Sequence, residues 1–134
     1  VKKLLKLSLQ KAAPHTTFST AFTTEEVNKA LTATKSGKAS GVDGIYPEFL
    51  KNLGPKGQIW LAKFASNILD TGTIPEVWRH SKVIAILKPG KPSNNPKSYR
   101  PIALLSTTYK VFEWLILNRI KTALEATLPI EQQR

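Results

Sequence analysis

Three kinds of hydrophobic pattern divide the chain into elements. Val27, Ala30 and Leu31 recur at helical spacing behind Thr23, and Glu26 stands three residues after that threonine. Thr23 and Glu26 make a capping box, while Phe22 and Val27 occupy the two positions of a hydrophobic staple, so two separate signals start a helix here and Gly37 ends it. Pro47 opens a short helix through Leu53, closed by Gly54, and Pro55 opens a longer one capped by Gly72. In the longer helix Ile59, Trp60, Phe64, Ile68 and Leu69 form the expected buried stripe. A last helix, capped by Ser106 or Thr107, carries Phe112, Ile116, Ile120 and Leu124 at four-residue spacing, widened by Leu115 and Ala123, and is expected to end near Leu128 and Pro129.

The second pattern is a short continuous apolar run. Val83 to Leu87 is rich in β-branched residues and predicts a strand over Lys82 to Lys88, stopped by Pro89. Pro101 to Leu105 predicts a returning strand, since a proline is tolerated at a strand's beginning or on an edge. The intervening Pro89 to Tyr99, with its prolines and asparagines, is a stiff exposed loop, so the two runs pair as an antiparallel hairpin. The third pattern is the absence of any period. Glycines at 37, 41 and 44 make Lys35 to Ile45 a loop, Pro75 to Trp78 makes a turn, and the residues before Phe22 read as a linker after a possible short helix at the start. The predicted class is α+β, mainly helical with a small antiparallel β-hairpin: residues 1–21 form a linker or the end of a preceding region, and 22–134 form one unit.

Charge changes this picture. The 134 residues carry a formal +11, and from Val77 to Phe112 there is no acidic residue while Arg79, Lys82, Lys88, Lys91, Lys97, Arg100 and Lys110 supply seven positive charges. Such a run is either a solvated basic face or a contact for a polyanion, nucleic acid first and an anionic membrane second. With no cysteine there is neither a disulfide framework nor a thiolate metal site, which fits a reducing compartment, and His15 and His80 lack ligand-spaced neighbours. The apolar run in Val1 to Leu9 is broken by Lys6 and is too short for a secretory core, and nothing later reaches membrane-spanning length, so no membrane partner is expected.

The hairpin is the main chemical candidate. Its strands would bring Lys88 and Arg100 to one loop-proximal end, where two fixed cations could hold a triphosphate or a nucleic-acid backbone, unless the loop merely separates two short strands. The glycine-rich loop misses the Walker spacing, because Ala39 follows Gly37-Lys38 and Thr32 stands where a glycine is needed. Asp43 is expected to make an Asx turn or cap a helix, and Asp70 to be solvated; these two aspartates offer no paired-carboxylate constellation. From the residues alone this is a basic α+β module without visible catalytic machinery; a protein-interaction domain whose charge serves solubility only is disfavoured, because scattered charge would do for solubility and an acid-free run of this length would not be needed.

FTTEEVNKAL, KASGVDGIYPEFLKNLG, GTIPEVWRHSKVIAILKPGKP and SYRPIALLSTTYKVFEWLILNRI, covering Phe22 to about Gln133, resemble successive early blocks of the reverse transcriptase domain of non-LTR, jockey-type retrotransposons. No single block is decisive, but the GxDG loop, the KPGK strand exit and SYRPI followed by a helix with Lys110 and Glu113 make a specific set. The resemblance implies the fingers region of an RNA-directed DNA polymerase. It implies triphosphate contacts at Lys88 and Arg100, a template or triphosphate contact at Lys91, and a template-side role for the block that holds Lys38, Gly41, Asp43 and Gly44. Arg79, Lys82, Lys97 and Lys110 are candidate contacts to an RNA template or an RNA/DNA hybrid. The metal-binding aspartates of that family lie in segments this sequence does not contain. No cofactor is therefore expected here, and Mg²⁺, deoxynucleoside triphosphate, palm and thumb belong to the complete enzyme. The alternative is a domesticated basic nucleic-acid-binding module without polymerase activity.

Overall fold

The computed structural model describes residues 20–125, and within the last helix the side chains up to residue 122. The possible helix at the start, the expected linker before Thr20, the side chains of Ala123 and Leu124 and the expected helix end near Leu128 lie outside the described residues. Elements follow in the order α1 (Thr24–Ala33), α2 (Pro47–Lys51), α3 (Pro55–Thr71), a 3-10 turn (Glu76–Arg79), β1 (Lys82–Leu87), a second 3-10 turn (Pro96–Ser98), β2 (Tyr99–Leu104) and α4 (Thr107–Glu125). Among the described residues the class is α+β and mostly helical, with one two-stranded antiparallel sheet.

Local chemistry accounts for the helix ends. The Glu26 amide donates to Thr23 Oγ1 at 3.2 Å and the Thr23 amide donates to Glu26 Oε2 at 2.8 Å, so the capping box is complete and satisfies two orphan donors at the start of α1. Phe22 and Val27, the staple pair, are both buried. The helix stops at Ala33 rather than at Gly37, because Thr34 turns to extended backbone and its amide and hydroxyl both return to the Ala30 carbonyl. Pro47 and Pro55 stand at the first turns of α2 and α3, and Gly72 ends α3 at φ +65°, a conformation open to glycine at no steric cost.

α1 packs against both long helices. Val27, Ala30 and Leu31 of α1, Leu61, Ala62, Ala65 and Ile68 of α3, and Val111, Phe112 and Leu115 of α4 form the core with Phe22, Leu50 and Trp78. The Trp78 ring meets those of Phe64, Tyr109 and Phe112, and Phe22 meets Phe112 edge-on at 6.3 Å.

Two expected stripes are corrected. On α3 the buried face centres on Leu61, Ala62 and Ala65, whereas Trp60 is 62% exposed and Ile59 is exposed beside it; of the expected stripe only Ile68 is fully buried. Two alanines give a low face that lets α1 approach closely, which an indole on the same ridge would prevent. On α4 the buried face is Val111, Phe112, Leu115 and Arg119, with Ile116 partly buried and Ile120 exposed. Arg119 takes a core position because its partners are already there. Its Nε donates to Glu26 Oε1 at 2.7 Å and Nη2 to Glu26 Oε2 at 2.9 Å, while Nη1 and Nη2 reach the carbonyls of Thr20 and Ala21 and the guanidinium lies 4.0 Å over the Phe22 ring. That hydrogen-bonded guanidinium holds the Glu26 carboxyl below the usual carboxylate range, against the opposing effect of partial burial.

Candidate nucleic-acid interface

β1 and β2 pair in the register Lys82 to Leu104, Ile84 to Ile102, Ile86 to Arg100 and Leu87 to Tyr99. Because side chains alternate along a strand, Lys82, Ile84, Ile86 and Lys88 share a face with Leu104, Ile102 and Arg100. The three cations on the strands and their exit thus project from the same side. Lys88 and Arg100 are diagonal cross-strand neighbours, a relation that sets them about 7–8 Å apart, within joint reach of one phosphate chain.

The loop is held by its own backbone and side chains. Lys88, Pro89, Gly90 and Lys91 make a tight turn in which the Lys91 amide donates to the Lys88 carbonyl and Gly90 adopts φ +69°. Proline then glycine at the two central positions is what a type II turn requires, and the turn brings Lys91 to within about 7 Å of Lys88 by Cα. Asn95 accepts the Lys97 amide and starts the second 3-10 turn, the Tyr99 hydroxyl donates to the Ser93 carbonyl, and the Lys88 amide donates to the Ser98 carbonyl. Lys88 Nζ donates to the Lys97 carbonyl at 2.9 Å, which fixes the ammonium and leaves it two further N–H donors.

Among the described residues no carboxylate pairs with Arg79, Lys82, Lys88, Lys91, Lys97, Arg100 or Lys110. Lys88 is partly buried and the other six are exposed. Arg79 sits in the 3-10 turn that leads into β1, and Lys110 in the first turn of α4. Lys38 is exposed in the glycine-rich loop, with no hydrogen bond or ion pair joining it to the hairpin.

That loop has a different part, which the sequence did not disclose. A Cβ on Gly41 would lie 2.6 Å from the Ser106 amide nitrogen and 2.7 Å from the Leu105 carbonyl carbon, so the loop backbone rests directly on the chain leaving β2. Asp43 accepts the Ile45 amide at 3.2 Å, the expected Asx turn, and its other oxygen accepts the Ser106 hydroxyl at 2.5 Å. Ser106 Oγ in turn lies 2.7 Å from Thr108 Oγ1, which accepts the Trp78 indole N–H at 2.9 Å. Since the indole can only donate and the Ser106 proton is committed to Asp43, the Thr108 hydroxyl donates to Ser106. Thr107 adds a bond to the Ile45 carbonyl at 2.7 Å. One network therefore ties Asp43 to Ser106 just after β2 and to Trp78 just before β1. It fixes the foot of the hairpin from both strands. A serine immediately after a predicted strand and an aspartate in a glycine loop are both visible in the sequence; the pairing across 63 residues is not.

Asp43 is engaged in this network and Asp70 is exposed near the end of α3, so the two do not converge. Among the described residues no group of three or more His, Asp or Glu could hold a metal ion. No helix among them is long and apolar enough to cross a membrane.

The sequence is similar to three Drosophila proteins over most of its length. It is 38% identical over 96 residues to the probable RNA-directed DNA polymerase from transposon BS of Drosophila melanogaster, covering 72% of this chain and 11% of that protein. It is 34% identical over 110 residues to the RNA-directed DNA polymerase from mobile element jockey of the same species, covering 82% and 12%. It is 35% identical over 122 residues to the probable RNA-directed DNA polymerase from transposon X-element, covering 91% and 13%. No protein-family model matches the sequence. The chain is homologous to one segment of the RNA-directed DNA polymerases of non-LTR retrotransposons and spans 11–13% of the length of these curated relatives.

Proposed function

We propose that this segment of a non-LTR retrotransposon reverse transcriptase is part of its fingers, and that the hairpin holds the phosphates of an incoming deoxynucleoside triphosphate. The observation that carries the reading is the placement of Lys88 and Arg100 on one face of the hairpin with no acidic partner among the described residues. Arg100 would supply a planar fork to two phosphate oxygens and Lys88 a point charge already steadied by the Lys97 carbonyl. Lys82, Lys91, Lys97 and Arg79 would meet the backbone of an RNA template or RNA/DNA hybrid, with Lys38 and Lys110 farther along its path. The aspartates present do not fit a two-metal site, so the Mg²⁺ that aligns primer and nucleotide is assigned to carboxylates of the palm, outside this sequence.

The test is made in a polymerase that contains this segment together with its palm. Arg100→Ala should lower nucleotide utilisation by about one to two decades, the equivalent of a charge-assisted bond of about 1.5–3 kcal/mol. Arg100→Lys should recover part of the loss, and Lys88→Ala should resemble Arg100→Ala. Unchanged nucleotide dependence at saturating template, with a loss confined to template affinity, would move both residues from the triphosphate to the template backbone.

A further inference from the structure

Trp60 is 62% exposed on α3, yet it is not a loose side chain. Its ring lies parallel to that of Phe64, with 5.0 Å between centroids and 9° between planes. Phe64 meets the buried Trp78 edge-on at 5.8 Å, and Trp78 is anchored by its indole N–H on Thr108. The outermost ring of a stack that rises from the core is therefore presented to solvent with its conformation already set. The stack is rooted four residues before β1, at the foot of the basic hairpin.

A single exposed tryptophan is common enough to need no explanation. The setting of this one is what points to a ligand. Lys56 and Lys63, four residues before it and three after it, share its helical face and are both exposed, and α3 has no acidic residue before Asp70. Arg79, next to Trp78, adds another exposed cation at the root of the stack. A flat aromatic face between phosphate-binding cations fits a nucleotide whose base is not paired: the base extends the ring stack while the ammonium groups meet the flanking phosphates. A rigid ring loses little freedom on binding, which favours the contact further.

We propose that Trp60 is a stacking platform for an unpaired base of single-stranded nucleic acid, with Lys56 and Lys63 holding the phosphates on either side. This rests on the reading that the chain binds nucleic acid, but it assigns a base contact on the helical body, apart from the phosphate contacts of the hairpin.

The 134-residue chain is titrated with a short oligoadenylate and with an abasic oligomer of equal length and charge, across a series of salt concentrations. Wild type should bind the base-bearing strand about tenfold more tightly than the abasic one. Trp60→Ala should lose that advantage, bind the abasic strand as wild type does, and keep the same salt slope; Trp60→Phe should retain part of it. Lys56→Ala and Lys63→Ala should each reduce the salt slope by about one without removing the base preference. Equal binding of the two strands by wild type, or an equal loss on both in Trp60→Ala, overturns the platform and leaves this face to a protein contact. Salt-independent binding overturns the phosphate contacts of the hairpin and of Lys56 and Lys63 alike, whereas the base preference is read at a single salt concentration, so the platform and the proposed function fail by different readouts.

Discussion

The helical body and the hairpin use charge in opposite ways. In the body a buried cation, Arg119, is saturated by a carboxylate, two carbonyls and an aromatic face, and it closes the amino-terminal side of α1 onto α4. In the hairpin the cations are many, all but the partly buried Lys88 exposed, and without acidic partners among the described residues. Their apolar neighbours are exposed as well: Val83, Ile86, Leu87 and Ile102 all stand well open to solvent. A lone two-stranded hairpin is marginal in water, so this one keeps its shape through its turn bonds and through the Asp43–Ser106–Thr108–Trp78 network at its foot. A charge that is satisfied within the fold contributes to stability. Cations without an acidic partner on a braced arm are what the proposed phosphate contacts require.

The largest effects should separate the two regions by packing alone. Phe112 is buried against Phe22 and Trp78, and Phe112→Ala should cost about 3–5 kcal/mol, enough to unfold much of a domain this small. Val83→Ala on the hairpin removes an apolar side chain that is 62% exposed and should change stability by no more than about 0.5 kcal/mol. Denaturant melts of the two variants check the pair, and comparable losses would mean that the hairpin faces are covered within this chain.

Arg119→Leu comes next. It fits the apolar surroundings but strands the Glu26 carboxylate and the carbonyls of Thr20 and Ala21. Breaking a buried pair costs about 3–5 kcal/mol, and because a quarter of the Glu26 side chain remains accessible to water a loss nearer the lower end is expected. Glu26→Gln should recover part of the loss in the Arg119→Leu background by removing the unpaired charge. In a double-mutant cycle, additive losses would deny the coupling.

These residues also mark what sequence could and could not disclose. The capping box and staple of α1 depend on neighbours three to five positions apart, and the hairpin on two apolar runs with a Pro-Gly turn, so local chemistry was enough for both. On α3 and α4 side-chain size does not predict burial. Close approach of α1 favours Ala62 and Ala65 over Trp60, and Arg119 is admitted to the core only by Glu26, 93 residues away. A lone arginine four residues after Leu115 and seven after Phe112, with the capping-box glutamate as a possible acceptor, was the available signal. The basic character of the hairpin was legible, while the network bracing its foot joins segments whose proximity no local pattern encodes.

A smaller effect tests that bracing. Gly41→Ala sets a methyl group against the backbone of Leu105 and Ser106, which cannot move aside as a flexible side chain would. The loop must shift, at a cost of about 1–3 kcal/mol. Gly54→Ala, where a Cβ meets nothing within 4 Å, is the matched control and should be close to neutral. In Gly41→Ala the Trp78 indole N–H should also exchange faster with solvent than in wild type, because Ser106 and Thr108 sit at the clash. Unchanged exchange together with unchanged stability would free the hairpin foot from the glycine loop.

The smallest expected effect is the pH dependence of the clamp on α1. Arg119 and the Thr23 amide hold the Glu26 carboxyl below the usual carboxylate range, so the folded state binds this proton less readily than the unfolded chain does. Stability from this group is therefore complete above the unfolded value, begins to fall as the pH drops through it, and is lost once the pH has passed below the lowered folded value. Glu25, beside Lys29, and Glu48, which accepts the Gly37 amide, are shifted in the same direction, but both titrate alike in wild type and in a Glu26 variant. The acid-induced loss should thus be smaller in Glu26→Gln than in wild type over the window below about pH 4.5, where the wild-type carboxylate is being neutralised and the variant has nothing to titrate. Hairpin variants such as Arg100→Ala should follow the wild-type curve, since Arg100 has no carboxylate partner among the described residues. Urea melts at a series of pH values make the comparison. A Glu26→Gln curve parallel to wild type through that window would show that the clamp stabilises by packing rather than by charge.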